Sequence, residues 1–141
     1  MTDRGHAAVE LALAIGVLLL PAALAVLAFG PWAERRVAAE AIAAEAARAA
    51  VLELDTGAGQ VAAQDQASSL GVELDHLRVG WCGATPTNGS AGTCAFTRGS
   101  AVVVAVDVWT PLVSTPWGEV GGLWVAADHT EPIDLYRSLA P

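Results

Sequence analysis

The sequence contains no lysine, and its cationic side chains are seven arginines set against fifteen acidic residues, for a net charge of −8. A nucleic-acid or anionic-lipid surface would lack the cationic footprint that phosphate recognition needs, and nucleic acid is set aside as a partner. Histidine is scarce: His6, His76 and His129 are scattered along the chain, and no nucleophile elbow, phosphate loop or paired-carboxylate motif accompanies them. The expectation is a protein that is not an enzyme and carries no cofactor. A zinc site drawn from His76, Cys82, Cys94 and His129 matches no finger or ribbon spacing and is not expected.

Charge is missing altogether from residues 11–31, and Glu10 is the only charged residue between residues 7 and 33. At 1.5 Å per residue, about 20 helical residues cross the ~30 Å hydrocarbon layer, so one membrane-spanning helix is expected over residues 6–33. Pro21 falls inside this span, where loss of a helix hydrogen bond predicts a kink. Pro31 and Trp32 stand near its outer boundary, where an indole is a common interfacial anchor. Counting arginines, Arg4 on one side against Arg35 and Arg36 on the other, favours the opposite orientation. The paired cysteines and the N-terminal sequence described next outweigh that count and put the C-terminal part outside.

A carboxylate at the edge of an apolar span is costly in lipid and persists where a partner or a function retains it. Glu10 stands five residues after Gly5, in the run Arg4-Gly5-His6-Ala7-Ala8-Val9-Glu10-Leu11 that leads directly into the apolar segment. This run resembles a type IV prepilin processing site. The resemblance implies a leader of residues 1–5, cleavage after Gly5 by a prepilin peptidase, and His6 as the new N-terminus. It also implies that Glu10 neutralises the freed α-amino group of a neighbouring subunit, a pairing that matters most where both charges are buried.

Beyond the span, residues 33–54 are rich in Ala, Glu and Arg with a sparse apolar face, so the helix is expected to continue outward as a stalk over residues 34–55. Its closest charged pair by spacing is Glu45 with Arg48. Gly57 and Gly59 are expected to break the helix, and residues 60–70 to form a second short helix ending at Gly71. Residues 72–81, 101–109 and 123–129 read as strands of an antiparallel sheet packed on the outer half of the long helix. The second has Val102, Val104, Val106 and Val108 on one face and Val103 with Ala105 on the other, as in a central strand. Residues 110–122 are expected to be a loop. The apolar Leu112, Val113, Trp117, Leu123 and Trp124 are assigned to the core of this small domain ahead of a subunit contact.

Cys82 and Cys94 share one Gly/Thr/Ser/Asn-rich stretch, where a turn can bring their α-carbons to the ~5.5 Å a disulfide requires. On an exported domain they are expected to be bonded. The expected fold class is therefore α+β: a long N-terminal helix, a short second helix and a small antiparallel sheet in an exported domain over residues 56–141.

Three features together resemble the TadE-like pseudopilins of tight-adherence (Flp) pilus systems, in an actinobacterial style. They are the Gly5/Glu10 block, the alanine-rich residues 38–50, and the ending Glu131-Pro132-Ile133-Asp134-Leu135-Tyr136-Arg137. The resemblance implies a minor pilin or pseudopilin that is processed and then assists assembly or priming of a thin pilus. Its partners would be the membrane, the peptidase, and other pilins with their assembly machinery. The alternative is a single-pass anchored binding or adhesion module with no pilus role, for which a charge at the depth of Glu10 has no use.

Overall fold

The computed structural model describes residues 6–136. One helix, α1 (His6–Glu53), is followed by α2 (Thr56–Ser69) and four strands: β1 (Leu77–Trp81), β2 (Thr87–Ala91), β3 (Ala101–Thr115) and β4 (Gly118–Pro132). The chain divides into two compact units, Met1–Ala33 and Glu34–Pro141, and the boundary falls within α1. The fold class is α+β, as expected. Helix α1 carries Pro21 and Pro31 inside it and is assigned without interruption across both.

In the second unit, α1 presents Ala39, Ile42, Ala43, Ala46, Ala47 and Ala50, all fully buried, at the three- and four-residue spacing of one helix face. Alanine on that face lets the helix axis approach the sheet closely. The sheet answers with Val79 and Trp81 of β1 and Val102, Val104, Val106 and Val108 of β3, also fully buried. Ala63 and Ala67 of α2 complete this core. The helix–sheet packing expected from the sequence is present, and the bulk is supplied almost entirely from the sheet side.

Two glycine-dependent approaches set the architecture. At Gly59 a Cβ would lie 2.3 Å from Cη2 of Trp81 and 2.7 Å from the Ala46 carbonyl oxygen, so α2 meets α1 closely with the Trp81 indole packed against the junction. Gly57 and Gly59 are therefore inside α2 and do not break the chain; the break is made by Asp55. Its carboxylate accepts from the amides of Gly57 (3.0 Å) and Ala58 (3.1 Å), capping α2 two residues after α1 ends.

The sheet order is β2-β1-β3-β4. β1 and β4 both run antiparallel to β3, the expected arrangement, and β1 and β3 are the interior strands. Three details differ from the sequence reading. Residues 74–76 form a short 3-10 turn, so β1 starts at Leu77. β2, whose sequence Thr-Asn-Gly-Ser-Ala has no strand-like apolar pattern, pairs parallel to β1. Residues 110–122 are not a loop: β3 and β4 are each 15 residues long and stay paired up to Thr115 and Gly118 around a two-residue turn at Pro116-Trp117.

Parallel neighbours ordinarily need a crossover of a dozen or more residues. Here residues 82–86 suffice because they fold back over Gly80, where a Cβ would lie 2.3 Å from the Ala84 carbonyl oxygen and 2.9 Å from the Pro86 nitrogen. Any side chain at position 80 would lift the return loop off the sheet.

Candidate functional site

Gly5 lies outside the described residues, and His6 is described only as the first residue of α1. Glu10 is exposed on the first part of that helix, and no hydrogen bond or ion pair engages it among the described residues. Leu11, Leu13, Ile15, Val17, Leu18, Leu19, Leu20, Leu24 and Val26 follow, each 47–73% exposed. This part of α1 is long and apolar enough to cross a membrane, and none of its most apolar window is buried. Leu13, Gly16, Val17, Leu20 and Pro21 border a shallow apolar groove. At Gly16 the backbone faces open space, with no heavy atom within 4 Å of where a Cβ would stand. A ridge of another helix could occupy such a surface, since close approach at small residues is how helices associate in lipid.

Cys82 and Cys94 are joined by a disulfide with a Cα–Cα distance of 5.5 Å. Cys82 follows β1 directly and extends its ladder through its amide to the Val103 carbonyl oxygen (2.8 Å). Cys94 lies three residues past β2 and packs, partly buried, against the core. The bond thus ties the return loop and β2 to the end of β1. It also removes both sulfurs from any metal site, and His76 with His129 meet carboxylates instead: His76 reaches Glu73 and Glu119 at 3.9 Å, and His129 reaches Glu131 at 3.2 Å. A bonded cysteine pair fits an extracytoplasmic domain.

The sheet face turned away from α1 carries an arrangement the sequence reading missed. Trp109 of β3 and Trp124 of β4 are paired across the strands with ring centroids 5.3 Å apart, and the Arg78 guanidinium lies 3.7 Å from the Trp124 centroid. Arg78 Nε also donates to Asn88 Oδ1 of β2 (3.0 Å), so one arginine links three strands. Trp109 Nε1 donates to Glu119 (3.2 Å). Asp107, opposite Arg78 in the ladder, has its pKa raised above the ordinary 3.8 because desolvation by burial outweighs the attraction of that guanidinium. The signal available beforehand was alternation: Asp107 and Trp109 interleave with the buried valines, which puts both on the outer face.

Of the five apolar residues assigned to the core, the structure overturns the assignment for three. Leu112 is 67% exposed, Trp117 93% and Leu123 39%. Trp124 is half-buried on the outer face, and the Val113 side chain lies outside the described residues. The physical reason is length: the hairpin runs past Leu77, the first residue of β1, so β3 beyond Val108 has no strand beside it but β4. On the helix surface, the expected Glu45–Arg48 pair is present at 3.7 Å, but Arg36–Glu40 is tighter at 2.7 Å. The ending resembling the family's is partly built in: Ile133 is buried and its amide donates to the Ser100 carbonyl oxygen (2.8 Å), while Arg137 lies outside the described residues.

Comparison of the chain with family models, with curated proteins and with solved structures gives no match. Its functional reading therefore stands on its own residues.

Proposed function

We propose that this protein is a minor pilin or pseudopilin of a tight-adherence (Flp) pilus system. It is inserted through α1 with its disulfide-bonded domain outside the membrane, and it is matured by a prepilin peptidase between Gly5 and His6. The observation that carries this reading is Glu10: a lone carboxylate, unpartnered among the described residues, five residues from Gly5 and at the head of an apolar helix. A simple anchor gains nothing from that charge, because lipid penalises it at every moment of insertion. A helix that packs beside copies of itself gains a registration point, since the carboxylate is satisfied only when a neighbour's α-amino group stands beside it. The groove at Gly16 and Pro21 supports lateral helix contact of this kind, and the bonded cysteines support an exported domain.

The test is the N-terminal residue and intact mass of the protein purified from its native membrane. A chain beginning at His6 is expected. A chain retaining residues 1–5, or one cut within residues 11–31, would remove the ground for the pilin reading and leave a single-pass anchored module.

A further inference from the structure

The domain Glu34–Pro141 has two distinguishable ends, and its own contacts fix which is which. The chain enters it at Glu34, and Arg36 donates from Nη1 to the Ala126 carbonyl oxygen (2.8 Å), level with Asp107 in the β3–β4 ladder. Further along α1, Ala46 and Ala50 are level with Trp81, which pairs with Val104. Helix α1 therefore advances toward the start of β3. The end of the domain where the chain enters is the end at which β3 and β4 turn. The connection from α2 to β1 lies there too, since His76 is within 3.9 Å of Glu119.

At this end the domain leaves a cluster of large apolar side chains uncovered, in addition to Leu52, Val61, Leu135 and Tyr136 exposed elsewhere on it. Leu112, Trp117, Val120 and Leu123 on the hairpin are 39–93% exposed, and Leu70 and Leu74 on the α2–β1 connection are 43% and 52% exposed. Residues 108–118 carry no charged side chain. An exposed indole at the tip of a tight turn, with Leu112 and Val120 on the same hairpin and a single carboxylate, Glu119, at its edge, has the composition of a surface that settles at the boundary between headgroups and acyl chains. The apolar run of residues 11–31 joins the domain at this same end.

We propose that the β3–β4 hairpin tip is a second membrane contact, with Trp117 seated in the lipid interface and Leu112 and Val120 beside it. This rests on the reading of α1 as a membrane anchor. Glu73, Asp75 and Glu119 border the patch, so the lipid it fits is zwitterionic, and anionic headgroups are not required. The contact would hold the domain against the bilayer until the subunit leaves it.

The full-length protein is reconstituted in phosphatidylcholine vesicles containing a brominated phosphatidylcholine, and tryptophan emission is compared for the wild type, Trp32→Phe and Trp117→Phe. The Trp117 side chain is almost wholly exposed, so its replacement leaves the fold intact. The emission lost on Trp32→Phe reports the anchor and that lost on Trp117→Phe reports the hairpin. Strong bromine quenching of both components, with bromines roughly 5–10 Å below the surface most effective for Trp117, is the expected result. Quenching of the Trp32 component alone overturns the second contact and leaves the anchor standing. Loss of quenching for both removes the anchor and the hairpin contact together. A Trp117 component shielded from aqueous iodide yet untouched by bromine would mean that protein, not lipid, covers the tip, and would also overturn the proposal.

Discussion

The two parts of helix α1 treat apolar residues in opposite ways. In the Met1–Ala33 unit alanines alternate with many large aliphatic side chains, and those described are exposed; in the second unit the apolar residues are mostly alanines, and one whole face has no exposure at all. Hydrophobicity by itself therefore does not say which part of a helix is a core. Size does: a helix that must lie on a sheet needs small residues where the backbones approach, whereas a helix solvated by acyl chains needs only a continuous apolar surface. The alanines of the second unit contribute little area individually, and the bulk on which the domain depends is Trp81 and the four valines of β3.

This contrast can be broken most severely at Trp81. Trp81→Ala empties the space between α1, α2 and the sheet and is expected to lower domain stability by about 3–5 kcal/mol, measured by denaturant titration of the near-ultraviolet signal. A loss below about 1 kcal/mol would mean that the alanine faces pack without it. Cys82→Ser with Cys94→Ser releases β2 and the return loop from β1, and should cost about 2–3 kcal/mol, with the same loss in the wild type under reducing conditions.

A matched pair sharpens the comparison further. Ala46→Leu overpacks the close approach of α1 to α2 and should cost about 1–3 kcal/mol. Leu18→Ala, in the first unit, should leave the unfolding midpoint of the domain where it was. Equal effects from the two would dissolve the distinction between the halves of the helix. Glu10→Ala belongs with Leu18→Ala in leaving domain stability unchanged, but on the proposed function it should abolish entry into the pilus while membrane insertion persists. Normal piliation in that variant would sink the assembly role.

The smallest effect concerns pH. The native pKa of Asp107 is raised, so the folded state holds its proton more tightly than the unfolded chain does. Stability therefore falls as pH rises from the ordinary carboxylate value of 3.8 through the higher native value, and is lower by that increment above it. Asp107→Asn should raise the midpoint of thermal unfolding slightly at neutral pH, and the gain should vanish on acidification below 3.8. A gain that persists in acid would point to the arginine contact in place of burial.

How much of this could be read beforehand follows the strength of each local pattern. The apolar run, the alternating valines of β3 and the cysteine pair each carry a physical signature of their own, and each led to the right element. The α1–α2 junction was misplaced because two glycines look like a break; the Asp55 cap and the need for a bare backbone opposite Trp81 become visible only when the two helices are seen crossing. β2 was missed because a strand at a sheet edge, held by a disulfide and by Arg78, needs no apolar pattern. The hairpin tip was assigned to the core because its residues are apolar, and sequence says nothing about how far a strand outruns its neighbours. For the candidate site, Glu10 was legible as an isolated charge, whereas the Arg78–Trp124–Trp109 stack depends on cross-strand register.

That overrun gives β3 two kinetic regimes. Its amides from residue 104 to 108 sit between two neighbouring strands, beneath a helix, and should exchange with solvent deuterium only when the whole domain opens. Those from residue 109 to 115 have a partner on one side alone and should exchange by fraying of the hairpin, orders of magnitude faster. One continuous strand thus behaves as a fixed base with a compliant arm, and the arm can bend to meet a surface without disturbing the base.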